Sequence, residues 1–294
     1  MPVALGEVAG GIIDDRLYLV GEGWPATLVF DSSTGEWLPL ATAATRPFPG
    51  HHHAAEVVDG RLHLIGGLGG DSEGRVQVYD PEENRWTLAA RLPFAAGSVA
   101  TGLIGSGLVA CGGIVDDRTV ADCAFFDPSA NTWTSLAPLP LPRNHAAAVS
   151  DGRRFWVIGG RGPGSGDGNV PADGFADVQC YDLATNTWQS SAEPGSSLVP
   201  LPQERGGMGK AVFHRGELYV IGGETLTGAG AGPDLTYDRV DVYDPVANTW
   251  RLGAALPTAR HGIFPLLHAG TIVVAGGGPV VGSSASRIVE IYTP

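Results

Sequence analysis

Residues 79–86 read "YDPEENRW", and the same frame, an aromatic residue, then aspartate, then tryptophan six residues after the aspartate, returns in four more places. The other copies are "FDSSTGEW" from Phe30, "FDPSANTW" from Phe126, "YDLATNTW" from Tyr181 and "YDPVANTW" from Tyr243. Asparagine or glycine stands two residues before each tryptophan, a place that wants positive φ, so every copy reads as a tight link between two strands. Upstream lies a short apolar strand that runs into glycines: "LYLVGEG" at 17, "LHLIGG" at 62, "LVACGG" at 108, "FWVIGG" at 155 and "LYVIGG" at 218. A sixth such strand, "IVVAGGG", begins at 272. The first glycines, Gly21, Gly66, Gly112, Gly159, Gly222 and Gly276, follow one another at 45, 46, 47, 63 and 54 residues. Before each comes an apolar or small-residue stretch and a turn such as Asp59-Gly60 or Asp151-Gly152. Every period therefore holds four strands and no helix.

These residues resemble the kelch repeat, whose hallmarks are a diglycine after the second strand and a later aromatic residue and tryptophan at fixed spacing. The resemblance spans Gly6 to Pro294. It implies an all-β fold, a six-bladed kelch-type β-propeller with four-stranded antiparallel blades packed around one axis. The whole chain, 1–294, is then one domain, its repeats at about 6–40, 46–92, 93–140, 141–200, 203–256 and 257–294. A single blade cannot bury both faces, so Trp37, Trp86, Trp133, Trp188 and Trp250 are expected to fill the gaps between blades. The sixth repeat runs "SRIVEIYTP" to Pro294 without the aspartate–tryptophan frame, so the last blade is expected to be incomplete at its outer strand. Either Pro2 to Leu5 supply a very short one, or a longer native N-terminus is missing.

Composition narrows the partners. Of 294 residues 43% are hydrophobic and 17% charged, enough apolar material for a large core, and 44 glycines with 22 prolines suit many short strands. A net charge of -13 argues against generic attraction to nucleic acid or to an anionic membrane surface. Lys210 is the only lysine. No apolar run approaches the roughly 18 residues that a spanning helix needs, and Met1-Pro2-Val3-Ala4-Leu5 lacks the charged start of a signal peptide. The expected protein is a soluble monomer, cytoplasmic if the chain is complete and exported if a leader has been removed. Cys111, Cys123 and Cys180 cannot form a closed disulfide framework and read as buried thiols on strands.

In the fold that the resemblance implies, the second-to-third loops and the blade-to-blade linkers share one face, the channel mouth. The Asp-Gly and aspartate–tryptophan turns lie opposite. Glycine-to-aspartate separations across the mouth loops are 10, 14, 15, 23 and 22 residues in repeats one to five, and the linker 189–203 is also long. Loops that a rigid scaffold holds are where binding residues usually sit, so a cluster over blades four and five is expected. At the entry to the inner strands lie His51, His52 and His53, then Arg143 and His145, then Glu204, Arg205 and Lys210, then Arg260 and His261. Arg143 and Arg260 precede their diglycine by 16 residues and Arg205 by 17, while His51 and His261 precede theirs by 15. Equivalent registers in different blades point such groups at one mouth.

Two chemistries fit. Arg143, Arg205 and Arg260, with His51, His53, His145 and His261, could form a rim whose guanidinium groups grip carboxylates, as arginines do in the eukaryotic kelch adaptors that this arrangement resembles. Glu7 in blade one would leave that rim asymmetric. Alternatively, neutral imidazoles drawn from His51, His53, His145 and His261 could converge on one metal ion. Copper enzymes of the galactose-oxidase kind need a cysteine-linked tyrosine, but Tyr79, Tyr181, Tyr243 and Tyr292 belong to the repeat. No glutamate has an aspartate four residues later, which removes the iron motif of plant specifier proteins. Phosphate-loop, zinc-protease, calcium-loop and nucleophile-elbow motifs are absent. The leading reading is a non-catalytic module, without a cofactor, that binds a protein segment or a small anionic ligand at the mouth. The alternative is a metal-dependent or mutarotase-like propeller enzyme using the mouth histidines.

Overall fold

Each aspartate of the repeated frame organises its own turn. Asp80 Oδ1 accepts the amides of Glu82 and Glu83, Asp127 Oδ1 those of Ser129 and Ala130, and Asp244 Oδ1 those of Val246 and Ala247. The residue two before the tryptophan takes positive φ as expected: 47° at Asn84, 51° at Asn131, 53° at Asn186, 55° at Asn248 and 74° at Gly35. In the computed structural model, which describes residues 1–22, 24–94, 96–162, 175–225 and 235–294, these turns join the third and fourth strands of five antiparallel sheets.

Blade one comprises Gly6–Ile13, Arg16–Glu22, Trp24–Asp31 and Glu36–Trp37; blade two Ala54–Val58, Arg61–Ile65, Val76–Asp80 and Arg85–Ala89. Blade three comprises Ala100–Ile104, Gly107–Cys111, Cys123–Asp127 and Thr132–Leu136; blade four Ala147–Ser150, Arg154–Ile158, Val178–Asp182 and Thr187–Ser190. Blade five comprises Val212–His214, Glu217–Ile221, Val240–Asp244 and Thr249–Leu252, and blade six only Leu266–His268, Thr271–Ala275 and Val289–Tyr292. Within each sheet the strands pair in chain order. The Val8 amide donates to the Gly262 carbonyl at 2.9 Å and closes blade one onto blade six. The result is the six-bladed propeller that the repeats implied, with a three-stranded last blade.

Pro2 to Leu5 do not supply the fourth strand. Leu5 instead pairs with Ser286, and the Met1 amino group donates to the Arg287 carbonyl at 3.1 Å, so the Val289–Tyr292 edge keeps Ile291 68% exposed. The cysteine expectation also needs correcting. Cys111 and Cys123 face each other in register on neighbouring strands of blade three, with Cα atoms 4.1 Å apart, and are joined by a disulfide; Cys180 alone is a free, buried thiol.

The core lies between blades rather than within one. One cluster joins Val149, Trp156 and Val178 of blade four to Val220 and Tyr243 of blade five, all buried. The frame tryptophans are half-buried and tilt against their own aromatic partners, 5.1 Å for Tyr79–Trp86 and 4.8 Å for Tyr243–Trp250. Their indole nitrogens reach across to the previous blade: Trp86, Trp133, Trp188 and Trp250 donate to the carbonyls of Ala44, Ala90, Ala137 and Val199 at 2.8, 2.9, 2.9 and 3.0 Å. The amides of those same four residues donate to Asn84, Asn131, Asn186 and Asn248. One linker residue per junction is thus clamped from both sides, a role that the asparagine's φ preference alone did not announce. Replacing Asn84 by glycine keeps the turn but frees Ala44 and Tyr79, and is expected to cost about 1–2 kcal/mol. Alanine adds backbone strain and should cost about 1 kcal/mol more. Urea unfolding of both variants checks the order, and equal losses would contradict the clamp.

Candidate functional site

Loop lengths draw attention to the mouth, but residues 163–174 and 226–234, on which the expected cluster over blades four and five rests, lie outside the described residues. The described wall of the mouth begins with the three arginines, and none of them forms an open rim. Arg143 and Arg205 have fully buried side chains, as does Arg260. Arg143 donates to the Gly159 carbonyl at 2.9 Å and to Asp177 Oδ2 at 2.5 Å. Arg205 donates to the Gly222 carbonyl at 2.7 Å and pairs with Asp241 at 2.9 Å. Arg260 donates to the Gly276 carbonyl at 2.8 Å and to Glu290 at 2.7 Å. Each guanidinium therefore caps the first glycine of its own blade's diglycine, where the chain leaves the sheet. That glycine packs against the next blade: a Cβ on Gly222 would sit 2.4 Å from the Arg260 oxygen, and φ there is 61°.

His53 does the same work in blade two. Its Nδ1 lies 2.7 Å from the Gly66 carbonyl and its Nε2 2.8 Å from that of Pro49, so both nitrogens are committed inside the wall. Burial, with Arg46 nearby, pushes its pKa down to about 4. The metal reading built on His53 is corrected on that ground.

Two residues beyond the arginine position, the six blades bring Glu7, His52, Ser98, His145, Gly207 and Gly262 to equivalent places around the axis. All six have positive φ, at 42°, 56°, 57°, 52°, 67° and 57°. Backbone bonds link neighbours in this ring: Ser98 N donates to His52 O at 2.8 Å, and Gly262 N to Gly207 O at 2.7 Å. His145 N donates to the Ser98 hydroxyl at 3.1 Å. The small serine in blade three lets imidazoles from blades two and four meet, with ring centroids 4.8 Å apart. His52 Nε2 lies 3.4 Å from Glu7 Oε2. Burial, then the neighbouring His51, pushes the His52 pKa down to about 3, and burial, then Arg161, holds that of His145 well below 6.5. Both rings are therefore neutral at pH 7. Burial raises the Glu7 carboxyl above its ordinary 4.5, against the pull of His261 and Arg161.

His51 stands behind this group, its Nδ1 in contact with His52 Nδ1. His261 is 1% exposed; its Nε2 lies 2.9 Å from the Val280 carbonyl, while Nδ1 has no hydrogen-bond partner and faces Glu224 at 3.4 Å and Glu7 at 3.8 Å. Glu224 is itself held by Arg161 and by the Gly282 amide at 2.9 Å. Below the ring a cavity of about 40 Å³, lined among others by Glu7, His52, His145 and Lys210, is room for water or a small ion. Lys210 then crosses the channel to Glu56 at 2.5 Å, and Thr101 donates to the other Glu56 oxygen at 3.0 Å.

Of the histidines expected at the mouth, His145 lies in this ring, His51 and His261 stand beside it and His53 is inside the wall, while His52 and Glu7, expected as a break in symmetry, face each other across it. The available signal was a place 14 residues before the first glycine, 15 in blade five, filled by Glu, His, Ser, His, Gly and Gly.

Comparison with known proteins agrees with this architecture. The KLHDC2/KLHL20/DRC7 Kelch-repeats domain matches residues 93–277, and the Kelch motif matches residues 49–93. Kelch-like protein terF of Aspergillus terreus is 28% identical over 98% of this chain and 64% of its own length; Beta-scruin of Limulus polyphemus is 28% identical over 83% and 27%. The chain thus spans less than two thirds of these curated relatives. A solved structure of YjhT shares the fold, with a TM-score of 0.80 at 20% identity over 100% of this chain and 96% of that one. With one domain match covering more than half of its length, the chain belongs to the kelch-repeat family.

Proposed function

We propose that the protein is a non-catalytic recognition module that takes a partner's apolar, basic segment across its mouth face. One observation carries this: Trp24, at the mouth-side start of the third strand of blade one, and Leu235 and Val280, in the mouth-side connections of blades five and six, are 40%, 44% and 63% exposed. Blades five and six are joined there, Thr236 Oγ1 donating to the Pro279 carbonyl at 3.2 Å. Exposed large aromatic and aliphatic groups beside polar neighbours are typical anchors for a bound segment. Exposed Asp71, Asp116, Asp122 and Glu204 on the same face, with a net charge of -13, favour basic residues around those anchors. With Arg143, Arg205 and Arg260 inside the wall, the small anionic ligand loses its expected donors. Protein interaction is also the usual work of kelch-repeat proteins.

Peptides selected from a display library on the wild-type protein test the reading. Trp24→Ser and Val280→Asp should each weaken the selected peptides about tenfold, the loss of one apolar anchor. Val246→Asp, on the opposite face where Val246 is 91% exposed, should not. Peptides that ignore the mouth variants, or that depend on Val246, would contradict it.

A further inference from the structure

We propose that Glu7, His52 and His145 are the ligands of a first-row divalent transition-metal ion, of the zinc(II) class, at the axis of the channel mouth. The site is independent of what the surrounding loops bind. Two imidazoles and one carboxylate are a donor set that such ions accept, with coordination positions left for water. The three coordinating atoms all lie within 4.8 Å of one another, and one edge of the triangle, His52 Nε2 to Glu7 Oε2, is already 3.4 Å. Ligands at about 2.0–2.2 Å from an ion stand roughly 3–3.5 Å apart, so small side-chain rotations complete the set.

Three further features point to a ligand rather than to packing. The imidazoles are oriented from behind: His145 Nδ1 lies 2.5 Å from Asn144 Oδ1, and Asn144 Nδ2 donates to Thr119 Oγ1 at 2.7 Å, leaving His145 Nε2 as its coordinating nitrogen. Hydrogen bonds to the remote ring nitrogen are how metal-bound histidines are usually aimed. Next, His261 Nδ1 is buried without a hydrogen bond, 3.4 Å from Glu224 Oε1 and 3.8 Å from Glu7 Oε1, a cost that water on the ion would remove. Finally, Glu7, His52 and His145, like Ser98 between the two histidines, hold positive φ where blades five and six have glycine, a backbone strained for a residue with a side chain and found most often at functional sites. The cavity of about 40 Å³ beneath them leaves an open position on the inner side, and half-buried Glu7 and His52 leave one toward solvent.

The glycines of blades five and six also supply variants that should fold. Protein stripped with chelator is titrated with ZnCl₂ and CoCl₂, by calorimetry and by cobalt visible absorption, for wild type, Glu7→Gly, His52→Gly and His145→Gly. Thermal melting without metal verifies that each variant is folded. Wild type should bind one equivalent with a Kd of about 1 µM or tighter, and each folded glycine variant about 100-fold more weakly. His268→Gln, at the hairpin end of the first strand of blade six and so opposite the mouth, should bind as wild type does. A wild-type protein that takes up no ion, or folded glycine variants that bind as tightly, would overturn the proposal.

Discussion

Replacing Arg205 by alanine is expected to destabilise the protein by about 3 kcal/mol, and replacing Asp241 by about 5 kcal/mol. Both side chains are fully buried and 2.9 Å apart, so removing either strands a charge in the blade interior. The difference follows from Arg239, which also pairs with Asp241 at 2.7 Å: without Arg205 the carboxylate keeps one cation, whereas without Asp241 two guanidiniums lose their partner. Melting temperatures should fall by roughly 10 °C or more. Arg143→Ala is expected to act similarly and to change the response to acid. Burial works to raise the Asp177 carboxyl, but Arg143 and the hydroxyls of Ser191 and Ser190 outweigh it and hold the group below its ordinary 3.8. A depressed carboxyl gives stability above its unfolded pKa that is lost as pH falls through the folded one. Wild type should therefore lose this contribution on acidification below about pH 4, and the alanine variant should show a flatter dependence. Stability unchanged by these substitutions would return the arginines to the rim.

The second large effect is expected at Lys210. Its ammonium crosses the channel to Glu56, whose side chain is 3% exposed, and Lys210→Ala leaves that carboxylate, among the described residues, without a cation and with the Thr101 hydroxyl as its donor. A loss of about 3 kcal/mol is expected, because an unpartnered buried charge costs more than the pair contributes. Glu56→Leu with Lys210→Met removes both charges and should recover most of it. A double-mutant cycle measures the coupling, expected at about 2 kcal/mol, and additive losses would show that the two groups act independently.

Much of this molecule is legible in its sequence because the repeat states the same physical requirement several times. Asp80, Asn84 and Trp86 recur with their spacing, and the structure uses each one to shape a turn or grip the previous blade. The diglycines recur because Gly222 and its equivalents pass within contact of the next linker. The arginines misled for the same reason: Arg143, Arg205 and Arg260 recur in register because each donates to the first glycine carbonyl of its own blade, and recurrence of that kind belongs to the scaffold. The proposed metal ligands sit where the repeat stops repeating. Glu7, His52, Ser98 and His145 differ from blade to blade, and their meeting depends on the small size of Ser98 and on closure of the ring, neither of which is a property of any one segment. The Cys111–Cys123 bridge was hidden likewise, because strand register, and not the count of three cysteines, places those two opposite each other.

Anomalous diffraction at the zinc edge, from crystals grown with one equivalent of ZnCl₂, shows whether Glu7, His52 and His145 hold an ion. A single strong peak is expected on the propeller axis, bonded to Glu7, His52 Nε2 and His145 Nε2, with Arg143, Arg205 and Arg260 still paired inside the wall. A mouth without such a peak, or zinc bound only at histidines away from the axis, would contradict it.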